Sequence, residues 1–596
     1  MRRVVLTCVI ACVASAALWA QAVRQQPSRD TRVTTGIVGE IAGLIVTDEE
    51  TSQPVRRALV RAIASNGDPV SAYTDAKGRF VFPDLPLGTY TIEASKPGFV
   101  RTAFGARRHD RPGTPVNLTD VQRSQNLQMR MARGGVITGR IVDEYGQPAS
   151  GTNVRAQLVR TVNGERTLSN VPMAGALFGE STDDRGVYRL YGLPAGDYVI
   201  SATPRYSAWG DIRRMTETDI SAAQQAMKQP AAAAELAEPA EPPVTMGYTA
   251  VFYPGALTAA QAGVITLKTG EERSGVDVSV QFVRTASIDG VVLGPGSVRL
   301  EAVELLMMPR LSASGSATII NISSANRRVG PDGKFSYTGI TPGSYTISAR
   351  VNQEGAPPLW ASADVDIDGQ PVSGVTLALQ EGMTIVGHMA FEADGVDPPT
   401  LFTRARVNLI PAEGNAMIGM GANTTQVSAS GGVSIKGVPP GRYRVSANFN
   451  TPEANWILKS AVIKGKDALD TTFELTAGDA ITDAVFTFTN RTQALSGTLQ
   501  DASKRPAPDY TVVLFPADRA LWGSTRRVRS TRPGTDGKFA FANLPAGAYR
   551  IAAVTDIGAE ELRDPALLEE LAAASIAFVL GDGEKKVQDL RIASGG

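Results

Sequence analysis

Histidine and cysteine are nearly missing from this chain, with two of each in 596 residues. Both cysteines, Cys8 and Cys12, fall in the apolar N-terminal run, so the rest of the chain has none. That excludes disulfides, thiolate metal ligands and thiol nucleophiles from everything downstream. His109 stands in a basic stretch, Arg107-Arg108-His109-Asp110, and His388 inside an apolar alternation. Neither belongs to the His-x-x-Glu pair that a zinc peptidase needs, and Ser-His and Cys-His catalysis fall with it. A Gly-x-x-x-x-Gly-Lys phosphate loop and a Gly-x-Ser-x-Gly elbow are lacking too. Net charge is the next absence. Fifty-nine basic side chains balance 59 acidic ones, leaving no surplus to neutralise phosphates. Nucleic acid is therefore not an expected partner. The sequence predicts no catalytic residue, no metal and no cofactor.

What is present begins with an export signal. Arg2 and Arg3 precede an apolar run, Val4 to Ala20, which ends at Ala20-Gln21-Ala22. This predicts a signal peptide over residues 1–22, cleaved after Ala22, with no membrane span afterwards. The expected location is secreted, periplasmic or in the cell envelope. Val9-Ile10-Ala11-Cys12 is similar to the box before a lipidated bacterial cysteine. It comes too early, and the apolar run continues past it, so Cys12 reads as part of the signal core.

Five copies of one pattern follow. They run Gly78 to Tyr90, Gly186 to Tyr198, Gly333 to Tyr345, Gly431 to Tyr443 and Gly537 to Tyr549. Each has an apolar pair two residues apart, a Pro-containing step, a second Gly and a closing Tyr. The third copy carries Ile340-Thr341-Pro342 where the others have Leu-Pro or Val-Pro. The tyrosines are 98 to 147 residues apart, the size of small domains and too long for a solenoid repeat. The expected modules are 39–131, 135–284 with an insertion at 211–243, 285–380, 381–490 and 491–596.

Each module opens with a Gly in an alternating run, such as Ile41-Ala42-Gly43-Leu44-Ile45 or Leu495-Ser496-Gly497-Thr498-Leu499. Period two predicts a strand with one buried face. Asp-containing turns precede the repeat, as in Asp75-Ala76-Lys77-Gly78, and those aspartates read as turn formers rather than calcium ligands. The repeated Tyr reads as a corner residue, its ring on the core and its hydroxyl near a loop backbone. About seven short strands per module predict an all-β chain of five tandem Greek-key antiparallel sandwiches of prealbumin or immunoglobulin type. Residues 211–243, rich in Ala, Gln, Glu and Pro, predict a partly helical or disordered insertion. Asp564-Pro565 predicts the start of a short helix running to Ala574.

These openings and signature segments resemble carboxypeptidase regulatory-like domains, transthyretin-like sandwiches close to the Cna-B and starch-binding-like groups. The resemblance runs through all five modules. It implies accessory, adhesive or binding units, and some relatives in the wider fold group bind carbohydrate. No peptidase domain accompanies them. The first strands of modules one to four lack the Lys that a Cna-B self-crosslink would need, and no receptor plug or barrel follows.

The functional candidates are aromatic. Trp209, Trp360 and Trp456 follow their signature Tyr by 11 to 15 residues, and Trp522 stands at a different position. Rings exposed at module ends would stack on sugar faces. The alternative is that each plugs its own core. The function expected is a non-enzymatic multi-module binding or scaffold protein, with polysaccharide as the first ligand class to test. An envelope protein that binds another protein through sheet edges is the second reading, and a carboxylate-only hydrolase the third.

Overall fold

The computed structural model describes residues 38–592 apart from internal stretches, the longest being 172–179, most of 205–244, 311–328 and 413–423. Residues 1–22, Trp209 and most of the 211–243 insertion lie outside the described residues.

Among the described residues five main hydrophobic cores follow one another along the chain, with smaller clusters around Phe252 and Phe515 beside the second and fifth. The main cores gather around Ile41, Ile137, Ile288, Ile385 and Leu495, each fully buried on an opening strand. Each core lies between two sheets. In the first body one layer holds Val38–Thr47 between Arg79–Pro86 and Ser124–Met131. The facing layer holds Val70–Tyr73, Leu59–Ala64 and Gly88–Ser95. The third and fifth bodies repeat this arrangement around Ala286–Leu293 and Gln493–Gln500. In the fourth, Asn455–Ile463 pairs with a strand of each layer and joins them along one edge.

The opening Gly has the same job in every body. Gly43 sits opposite Phe80, Gly139 opposite Tyr188, Gly290 opposite Phe335, Gly387 opposite Val433 and Gly497 opposite Phe539. On its other side the closing strand runs close by. A Cβ on Gly290 would lie 2.4 Å from both the Phe335 ring and the Val375 carbonyl oxygen. A side chain at this position would displace the aromatic ring from the core or part the two strands.

One pairing differs from the antiparallel expectation. The opening and closing strands run parallel in all five bodies, as in Gly43 opposite Leu127 and Gly387 opposite Ala484. The last strand returns beside the first after a long connection, which a parallel pair requires. Alternation marks which residues face inward but carries no strand direction, so the sequence is silent on it.

The bodies touch in sequence order. Gly134 N–H donates to Gly98 O between the first and second, and Thr245–Tyr248 packs against Lys334–Ile340 between the second and third. Gly382 N–H donates to Pro358 O between the third and fourth. Asp470 of the fourth binds Arg526 and Arg527 of the fifth at 2.7 and 2.6 Å. The fifth then meets the first. Arg111 lies 2.7 Å from Asp556, and Arg532 donates to Gly105 O at 2.6 Å and Pro112 O at 3.1 Å. Asn117 donates to Asp536 at 2.9 Å, and Thr535 N–H to Pro115 O. The side chains of Arg111 and Arg532 are 6% and 4% exposed, so both are held inside this junction. The junctions form a closed cycle.

Candidate functional site

The repeated tyrosines make one bond five times. Each hydroxyl donates to the carbonyl oxygen four residues earlier: Tyr90 to Pro86, Tyr198 to Pro194, Tyr345 to Thr341, Tyr443 to Pro439 and Tyr549 to Pro545, at 2.7 to 2.9 Å. The Pro step leaves that carbonyl without a ladder partner, and the phenol supplies one. Burial raises all five phenols above the usual tyrosine range, Tyr443 to about 12. They are corner braces, neutral donors at any ordinary pH.

The turn aspartates spend their oxygens locally. Asp75 Oδ1 accepts from Arg79 N–H and Lys77 N–H, both at 2.8 Å, and Asp183 Oδ1 from Val187 N–H and Arg185 N–H. These backbone donors lower both carboxyls, Arg79 N–H leading at Asp75 and Val187 N–H at Asp183. Among the described residues no cluster of His, Cys, Asp and Glu fit for a metal occurs. His109 and His388 are both exposed, on different bodies.

The tryptophans divide. Trp456 is 3% exposed and packs edge-on against Phe391 at 5.2 Å inside the fourth core. Trp522 is 8% exposed, packs against Phe515, and donates its Nε1–H to Pro516 O at 2.9 Å. Neither ring has a face for a ligand, which corrects their candidacy as sugar platforms. For Trp522 the signal was local: the three-residue helical turn Arg519–Leu521 folds the ring back onto its own sheet.

Trp360 is different. It sits half-buried on the strand Ala356–Ile367, opposite Arg350 on one side and Gln380 on the other. It lines a cleft between the third and fourth bodies, with a cavity of about 290 Å³. Pro358 and Leu359 form the wall beside it, and Pro439, Pro440 and Tyr443 the wall opposite. Arg350 and Arg442 add charge. The indole Nε1–H is buried with no acceptor. An unpaired buried donor costs about 1–3 kcal/mol, a cost that an acceptor brought by a ligand would relieve. Pro358 and Gly437 meet closely enough that a Cβ on Gly437 would lie 2.6 Å from the proline ring. Glycine there, with φ of 73°, lets the two bodies close on the cleft.

The sequence reasoning missed the junctions. Arg107 to Asp110 reads as a solvated basic loop, yet Arg111, one residue on, is buried against the fifth body. No local pattern marks a contact 445 residues away.

Several solved structures resemble the chain at low identity. The minor pilin GBS52 of Streptococcus agalactiae is 12% identical, covers 41% of this chain and 96% of its own, and has a TM-score of 0.20. The major pilin subunit BcpA of Bacillus cereus is 12% identical over 77% of this chain and 99% of its own, with a TM-score of 0.14. Two B repeat units of the collagen binding protein of Staphylococcus aureus are 10% identical over 72% and 94%, with a TM-score of 0.13. No curated protein matches the chain. Residues 41–130, the first body, match the model of the carboxypeptidase regulatory-like domain family, and the four bodies after it repeat its opening glycine, parallel closing strand and tyrosine corner.

Proposed function

We propose that the chain is an exported, non-enzymatic binding scaffold that takes a polysaccharide segment in the cleft between its third and fourth bodies. The observation that carries this reading is Trp360, a half-buried indole with an unpartnered N–H beside proline-rich walls and two arginines. An aromatic face with a nearby donor suits a sugar ring, which has an apolar face and a hydroxyl rim. The N-terminal pattern of residues 1–22 supports export. Glycan arrays probed with wild type and Trp360→Ala test it. Wild type is expected to retain at least one neutral glycan, and the variant to lose it. Absence of any retention, or retention equal in both, defeats the sugar assignment.

A second reading has its own support. The edge strands Val70–Tyr73 and Ile576–Leu580 expose Val70, Tyr73, Ile576 and Val579. Exposed apolar edges accept a strand from a partner protein. Crosslinking in an envelope fraction, with Tyr73→Lys and Val579→Lys as edge-blocking variants, distinguishes it.

A further inference from the structure

Between the first and second bodies lies a larger, more polar groove of about 760 Å³. The first body brings Arg107, Arg108, His109 and Arg130, and the second brings Arg160. Among the described residues the acidic groups lining the groove are Asp48 and Asp197. Positive charge therefore gathers here in a chain whose total is zero. Arg108 is engaged by Asp556 at 3.2 Å. Arg130 meets Asp48 at 3.8 Å with both side chains more than half exposed, a pair that water screens heavily. Asp197 takes a hydrogen bond from Thr266 at 2.6 Å.

The loop that supplies Arg107 to His109 is not left to swing. Its two ends are tied to the fifth body through Arg532, which holds Gly105 O and Pro112 O, and through Arg111 on Asp556. Within the loop Thr114 N–H donates to Phe104 O at 2.6 Å. Closure of the cycle thus presents the basic side chains on a fixed frame, and pre-ordering spares a ligand the entropy of arranging them.

We propose that this groove binds an acidic oligosaccharide, a sugar chain bearing carboxylates, through Arg107, Arg130 and Arg160. Guanidinium groups match carboxylates with paired N–H donors. Among the described residues no phenylalanine, tyrosine or tryptophan lines the groove, so it lacks the large rings on which nucleic-acid bases commonly stack. At Leu158 the wall strand is paired with neighbours on both sides, so an added peptide strand finds no edge there. The inference adds a second site to the binding reading above. Trp360 belongs to the third body and does not line this groove, so Trp360→Ala leaves this site's result unchanged and the two assignments fail separately.

The test is affinity electrophoresis of the mature chain through gels holding oligogalacturonate, a neutral glucan, polyglutamate or polyphosphate, at low and raised salt. Oligogalacturonate is expected to retard wild type at low salt, with the effect shrinking as salt rises. Arg107→Ser with Arg130→Ser, both on exposed side chains, is expected to weaken that binding about tenfold or more. An absence of retardation, retardation equal in the double variant, or equal retardation by polyglutamate or polyphosphate overturns the proposal.

Discussion

Arg111 in the first body and Asp556 in the fifth lie 2.7 Å apart, with the arginine side chain 6% exposed. Glu561 stands on the same guanidinium at 3.3 Å. Removing the arginine forfeits charge-assisted bonds to carboxylates that are 22% and 50% exposed and stay partly hydrated, at a cost of about 1.5–3 kcal/mol. Arg111→Met is therefore expected to open the junction while the five cores stay folded. Fluorescence energy transfer between labels on the first and fifth bodies reads it. The distance should grow in the variant, and an unchanged distance with an unchanged melt would show that the arginine does not hold the cycle shut.

The tyrosine corner predicts a graded pair of variants. Tyr549→Phe keeps the ring and loses the bond to Pro545 O, costing about 1 kcal/mol. Tyr549→Ala also empties a fully buried site and should cost about 3–5 kcal/mol. Denaturant unfolding of the fifth body measures both. Equal losses would mean that the ring's packing contributes nothing beyond the hydroxyl.

Gly290→Ala is the smallest possible change with a large expected effect. The added methyl meets the Phe335 ring and the Val375 carbonyl at 2.4 Å. Overpacking of this kind costs about 1–3 kcal/mol. Gly374→Ala in the same body would meet nothing within 4 Å, though its φ of 79° makes it a strained site. Loss of stability at 290 that exceeds the loss at 374 separates crowding from backbone strain, and the reverse order would refute the close approach.

The junction of the fourth and fifth bodies should weaken in acid. Burial alone would raise the Asp470 carboxyl. The hydrogen bond and charge of Arg526, with Ser524 and Arg527, overcome that and bring it down to about 2 from an ordinary 3.8. A carboxyl depressed in the folded state contributes fully above its ordinary value, and that contribution is lost as pH falls from about 3.8 to 2. The stake is on the order of 2 kcal/mol. Asp470→Asn should flatten this part of the stability–pH curve and lower the plateau above it. A curve that keeps its acid slope in the variant would assign the effect to other carboxyls.

Much of each body could be read from the chain, because the causes are local. Ile41 and Ile45 face inward by period two, Asp75 closes its turn with its own backbone, and Tyr90 reaches a carbonyl four residues back. The short helix at Pro565–Ala574, capped by Asp564, follows the same logic. The tryptophans were harder. Spacing puts Trp360 and Trp456 at comparable places, but Trp456 turns into a core crowded with Phe391, Phe449 and Phe488, while Trp360 faces a neighbouring body. Which of these happens depends on what stands across the sheet. The junction residues Arg111, Asp470 and Arg532 look like any surface charge in the sequence. Their burial is decided by another body's arrival.

The contact between the first and fifth bodies also has a mechanical meaning. Tension applied across those two bodies is borne at once by the Arg111 and Arg532 tether, before slack along the intervening polypeptide is taken up. That tether acts as a fuse. When it parts, the first and fifth bodies can separate while the junctions between consecutive bodies and every sandwich core are still in place.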